Sequence, residues 1–124
     1  MAKILIAEDE KDIRDLITIL LQFGGHTVIP TANGEEAFER AKVEVPDLIM
    51  MDVRMPRMTG YEACVHIKSN PQTAHIPVIF LSAKGQDAEI QAGLQAGGTE
   101  YLLKPFAPDQ LAARIQAILT RQGK

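Results

Sequence analysis

Five residues in this chain have the chemistry to handle phosphate or a divalent cation, and each stands at the end of a short apolar run. Ile4-Leu5-Ile6-Ala7 leads into Glu8-Asp9, Leu48-Ile49-Met50-Met51 into Asp52, Val78-Ile79-Phe80-Leu81 into Ser82, and Tyr101-Leu102-Leu103 into Lys104. Only the run Thr27-Val28-Ile29 lacks such a group. If the runs are parallel strands, the carboxylates, the hydroxyl and the ammonium meet at one sheet edge. Carboxylates packed together repel, and each raises the pKa of its neighbours. A hard divalent cation removes that conflict. Mg²⁺ takes oxygen ligands, keeps several waters, and commonly uses one or two carboxylates with phosphate oxygens. A carboxylate beside such an ion, with a hydroxyl and an ammonium nearby, is equipped to accept a phosphoryl group in line. No GxxxxGK[ST] loop is present for a nucleotide, which points to a donor other than bound ATP.

Taken singly, each residue has a plainer role. Asp9 could cap a following helix, Ser82 could belong to a turn, and Lys104 could be a solvated charge. Four of five runs sharing the pattern is more than turn chemistry explains. His26, His66 and His75 are scattered and Cys64 is the lone cysteine, so neither zinc nor copper spacing exists. Cys64 reads as a small core residue on a helix and the histidines as surface or packing residues.

The elements that must position these groups alternate along the chain. Ile13, Leu16, Ile17, Leu20 and Leu21 recur at helical spacing before the stop Gly24-Gly25. Asn33-Gly34-Glu35-Glu36 caps a second helix carrying Ala37, Phe38 and Ala41, which ends before Pro46. Tyr61, Cys64, Val65 and Lys68 trace a third, stopped at Ser69-Asn70-Pro71. A fourth is predicted from about Gln86 to Ala96, lightly anchored by Ile90 and Leu94 and weakened by Gly93. The last follows Pro108, with Leu111, Ile115, Ile118 and Leu119 on its inner face. Strand and helix in alternation imply an α/β fold, a parallel sheet with helices on both faces. The runs starting near residues 4, 48 and 78 are apolar throughout, as strands covered on both sides must be. The two shorter runs suit the sheet edges.

At 124 residues, residues 1–124 form one domain, long enough to bury roughly two-thirds of the unfolded surface. Thirteen basic against sixteen acidic residues leave a net charge of -3, which argues against binding nucleic acid or an anionic membrane directly. The single cysteine fits a reducing cytosol, and no run approaches the roughly 18 apolar residues of a membrane helix. A cytoplasmic, membrane-free protein is expected.

The motifs Ile4-Leu5-Ile6-Ala7-Glu8-Asp9-Glu10, Asp47-Leu48-Ile49-Met50-Met51-Asp52-Val53-Arg54-Met55-Pro56, Phe80-Leu81-Ser82-Ala83-Lys84 and Tyr101-Leu102-Leu103-Lys104-Pro105-Phe106 occur in one order across the whole chain. In these motifs the sequence resembles the receiver domain of two-component response regulators. The resemblance implies a flavodoxin-like, doubly wound five-stranded parallel sheet in the order 2-1-3-4-5 with five helices. It implies that Asp52 accepts a phosphoryl group from the phosphohistidine of a histidine kinase or phosphotransfer protein. Glu8, Asp9, Asp52 and the backbone carbonyl of Arg54 would serve Mg²⁺, with Glu8 acting largely through a metal-bound water. Lys104 would pair with the phosphoryl group, Ser82 would hydrogen-bond to it, and Tyr101 would be the aromatic switch. The Lys104-Pro105 peptide is similar to one that is cis in the family. Glu8 in place of Asp and Ser82 in place of Thr are mild departures that could alter metal affinity or the lifetime of the phosphorylated state. Arg54 and Lys84 flank the site at positions that tune this lifetime in relatives.

On this resemblance the chain catalyses only its own phosphorylation and dephosphorylation. It would signal to a downstream protein through the fourth helix, last strand and last helix, as a monomer or a phosphorylation-dependent dimer. Two other classes compete. A haloacid-dehalogenase-type phosphohydrolase needs DxDxT after its first strand, where this chain has Glu8-Asp9-Glu10-Lys11-Asp12. A phosphorylation-independent interaction module with a vestigial site has no need of the full set Glu8, Asp9, Asp52, Ser82 and Lys104.

Overall fold

The computed structural model describes residues 2–82, 100–103 and 107–121, with Glu100 and Leu103 described in their backbone alone. Its strands are β1 (Lys3–Ala7), β2 (Thr27–Thr31), β3 (Leu48–Asp52), β4 (Val78–Ser82) and β5 (Glu100–Leu103). All pair in parallel in one sheet, in the order β2-β1-β3-β4-β5. The described helices are α1 (Lys11–Phe23), α2 (Gly34–Glu44), α3 (Gly60–Ser69) and a last helix, Pro108–Arg121. The fourth helix predicted near residues 86–96 and the Lys104-Pro105 peptide lie outside the described residues.

Continuous apolar strands serve a sheet covered on both faces, and the side chains divide by their alternation. Leu5, Ala7, Ile49, Met51, Val78 and Phe80 pack on one face with Ala37 and Ala41 of α2 and Ala63, Cys64 and Ile67 of α3. Ile4, Ile6, Leu48, Met50, Ile79 and Leu81 pack on the other with Ile17 and Leu21 of α1 and Leu111, Ile115 and Ile118 of the last helix. Each fully buried Ile, Leu or Met contributes about 1.5–3 kcal/mol by leaving water. The buried positions of α2 are all small, Gly34, Ala37 and Ala41, and those of α3 are small except Ile67.

The helix ends follow local chemistry. Gly25 takes φ 90° after α1, and His26 N–H donates to Leu21 O at 3.1 Å, closing the last turn. Asn33 Oδ1 accepts from Glu36 N–H at 2.8 Å and caps α2. Thr59 Oγ1 accepts from Glu62 N–H while the Glu62 carboxylate accepts from Thr59 N–H, a reciprocal cap on α3. Those bonds hold the Glu62 carboxyl below the usual range.

Two expectations from helical spacing are corrected. Leu16 on α1 is 55% exposed and Val65 on α3 is 50% exposed. On α3 Cys64 is buried as expected, while Ala63 and Ile67 take the inward positions in place of Val65. The second strand is also no shorter than the central ones. It continues through Pro30 to Thr31, and Pro30 is tolerated because β2 is an edge strand.

Candidate functional site

Register places the chemistry. Ala7 of β1 lies opposite Met51 of β3, so Glu8 and Asp52 leave the sheet side by side. Asp52 lies opposite Leu81, which brings Ser82 to the same edge, and Ser82 lies opposite Leu103 of β5. Strand order reverses between β1 and β3, and an open α/β sheet binds its ligand beyond the strand ends at such a reversal. The structure gathers Glu8, Asp9 and Asp52 there, with a carboxylate oxygen of each within 4.8 Å of the others. Glu8 is fully buried, Asp52 and Ser82 are nearly so, and Asp9 is exposed.

The turn after β1 is held from several sides. Glu8 N–H donates to Thr31 O at 3.1 Å, and the Arg14 guanidinium donates to Glu8 O at 2.8 Å. Glu10 N–H donates to Glu8 Oε2 at 3.3 Å. Glu10 stands at the N-cap position of helix α1 and makes no side-chain cap hydrogen bond, so Asp9 does not hold the capping position open to it in the sequence. Asp9 instead contributes a carboxylate to the cluster.

The loop after β3 is equally constrained. Val53 N–H donates to Leu81 O at 3.0 Å, and Gly60 N–H donates back to Val53 O at 2.9 Å. Met58 N–H donates to Pro56 O at 2.7 Å around Arg57, whose φ of 69° is uncommon for a residue with a side chain. A Cβ on Gly60 would stand 2.3 Å from Asp52 O, and one on Gly34 would stand 2.3 Å from Met58 O. The start of α3 therefore lies close against the backbone of Asp52, and the start of α2 against that of Met58. Sequence reasoning passed over Thr59 and Gly60. Their readable signal was the spacing Thr59-Gly60-Tyr61-Glu62, a capping box opening a helix.

Three oxygen donors in a partly buried recess, two just after β1 and one ending the adjacent β3, fit a hard cation such as Mg²⁺ and do not fit a soft one. Arg54 lies exposed on the β3–α3 loop, next along the chain to Val53. Leu103 lies opposite Ser82, and Lys104, the next residue in the sequence, lies outside the described residues. Tyr101 is half-buried on β5, opposite Phe80. Cys64 takes no part: it is buried on α3, where burial pushes its thiol up to about 11.

The sequence matches the response regulator receiver domain family over residues 4–116, and the chain belongs to that family. It is 39% identical over 119 residues to the alkaline phosphatase synthesis transcriptional regulatory protein PhoP of Bacillus subtilis, covering 96% of this chain and 49% of that one. The chain thus spans about half the length of the curated relatives it matches. Among solved structures, the chemotaxis protein CheY4 of Vibrio cholerae superposes with a TM-score of 0.91 at 34% identity, covering 95% of this chain and 98% of that one. The receiver domain of the sensor histidine kinase PA1611 of Pseudomonas aeruginosa superposes with a TM-score of 0.90 at 31% identity, covering 96% and 98%. That structure has a magnesium ion coordinated in its active-site cleft.

Proposed function

We propose that this receiver domain is a phosphorylation switch in which Asp52 is the acceptor. The observation that carries this reading is the convergence of Glu8, Asp9 and Asp52 within 4.8 Å at the sheet edge where strand order reverses. A carboxylate oxygen of Asp52 forms an O–P bond as the P–N bond of a donor phosphohistidine breaks, and the electron pair returns to the imidazole nitrogen. The donor is a histidine kinase or a phosphotransfer protein. Glu8, Asp9 and Asp52, with the backbone carbonyl of Arg54, would hold Mg²⁺. The ion supplies neutralisation of charge on the phosphoryl oxygens. Ser82 donates its hydroxyl to the phosphoryl group, Lys104 pairs with it, and burial of Glu8 and Ser82 limits water at the site.

Phosphorylation replaces roughly one negative charge by two and adds acceptor oxygens. Ser82 is drawn toward them, and Tyr101 on the neighbouring strand turns in response. The surface made by the predicted fourth helix, β5 and the last helix changes with it, and a downstream protein reads that change. The chain turns over no external substrate and acts only on its own phosphorylation state.

Labelling by a small acyl phosphate tests this reading. The wild-type protein should incorporate phosphate only with Mg²⁺ present, and Asp52→Asn should incorporate none. Equal labelling of both proteins would remove Asp52 as the acceptor; no labelling of wild type would leave an interaction module with an unused site.

A further inference from the structure

We infer that Tyr61 is a positioning residue for the switch, a latch on α3 whose hydroxyl holds Tyr101 in place. The inference rests on the switch role proposed for Tyr101 and extends it to an element outside the phosphoryl site. The two hydroxyl oxygens lie 3.0 Å apart, one donating to the other, although the residues are 40 positions apart in sequence. Phe80 lies against both rings. Its centroid is 4.9 Å from Tyr61 in an edge-to-face arrangement and 6.2 Å from Tyr101. Both tyrosines are half-buried, and the three rings join α3, β4 and β5 across one face of the sheet.

The position of Tyr61 is itself set by the acceptor. It follows Gly60, where a Cβ would stand 2.3 Å from Asp52 O and whose N–H donates to Val53 O. Any displacement of the backbone around Asp52 is passed to Gly60, and through Tyr61 to the hydroxyl of Tyr101. Tyr101 therefore has two restraints: its own strand, which moves with Ser82, and the α3 latch, which moves with Asp52. A hydrogen bond of this kind shifts a two-state balance by about two- to tenfold. That is enough to set how readily the switch turns without abolishing it.

The chain has two tyrosines and no tryptophan, so every tyrosine signal comes from this pair. Protein labelled with 3-fluorotyrosine should give two ¹⁹F resonances, assigned with Tyr61→Phe and Tyr101→Phe. Each substitution keeps the ring against Phe80 and removes only a hydroxyl. In metal-free protein, Tyr61→Phe should move the Tyr101 resonance, and Tyr101→Phe should move that of Tyr61. In a titration with beryllofluoride and Mg²⁺, the two wild-type resonances should respond with one midpoint. Tyr61→Phe should change that midpoint by about two- to tenfold. Followed by hydrogen exchange, the effect of the double variant should fall short of the sum of the two single effects, because the bond between the hydroxyls is lost in all three. An unmoved Tyr101 resonance in metal-free Tyr61→Phe would overturn the latch, as would independent, additive effects of the two substitutions. If wild type responds to neither beryllofluoride nor acyl phosphate, the acceptor reading falls. The latch is then still decided by the metal-free spectra.

Discussion

At the scale of the residue, the site depends on close approach as much as on charge. Gly60 has no tolerance for a side chain, because the atom a Cβ would meet is the carbonyl oxygen of Asp52 rather than a movable side-chain tip. Gly60→Ala should therefore destabilise the protein by about 1–3 kcal/mol, measured by urea unfolding, and should slow acyl-phosphate labelling by displacing Asp52. The acids were readable as a group in the sequence; this glycine was not, since its role is a contact between segments. Cys64 shows the opposite case, a residue whose burial follows from its helix position. With its thiol raised to about 11, it should resist a thiol reagent at pH 8 in the folded protein and react promptly once unfolded.

At the scale of the element, α3 matters beyond packing. Its first turn carries the Thr59–Glu62 capping box, the Gly60 contact with Asp52 and the hydroxyl of Tyr61. Thr59→Ala should cost about 1 kcal/mol in a urea melt, the usual value of an N-cap. It should also loosen Tyr61, seen as a broadened ¹⁹F resonance. Helical spacing located α3 and its end at Asn70, yet it assigned Val65 to the inner face. The error has a physical source. Ala63 ranks below Val65 in hydrophobicity and Ile67 only slightly above it, and the face turned inward was chosen by contact with the sheet and α2. The exposed Leu16, Ile19 and Phe23 of α1 make the same point, as an apolar spacing need not be a buried one.

At the scale of the molecule, the acidic cluster couples the metal to folding. Folding brings Asp52 against Glu8 and Asp9, from which it is separated in the unfolded chain, so a cation that binds only the folded cluster stabilises it. Mg²⁺ at a hundredfold excess over its dissociation constant should add about 2.7 kcal/mol, read as a higher Tm that a chelator reverses. Asp9→Asn should raise the metal-free Tm and remove most of the Mg²⁺ response. A separate pH dependence comes from His26, near the amino end of β1, where burial holds the imidazole below its ordinary pKa and Nδ1 accepts from Ala2 N–H at 3.3 Å. The neutral form is favoured on folding. Its contribution is therefore present above the unfolded value near 6.5 and is lost as pH falls through the lower folded value. His26→Gln should flatten the stability profile below pH 6.5, measured by thermal melts in Mg²⁺-free buffer.

The alternation of runs, the polar residue ending each, and the stops at Gly24-Gly25, Pro46 and Pro71 were local properties. They sufficed for a parallel α/β sheet and for naming Glu8, Asp9, Asp52 and Ser82, because a parallel sheet sends every strand end with a common direction to one edge; the strand order was implied only by the family resemblance. Pairing between segments was another matter. That Asp9 joins the cluster instead of capping α1, that Pro30 continues an edge strand, that Gly60 bears on Asp52 and that Tyr61 meets Tyr101 all depend on distances across the fold. No periodicity within a segment encodes such distances, so only the packed molecule could decide them.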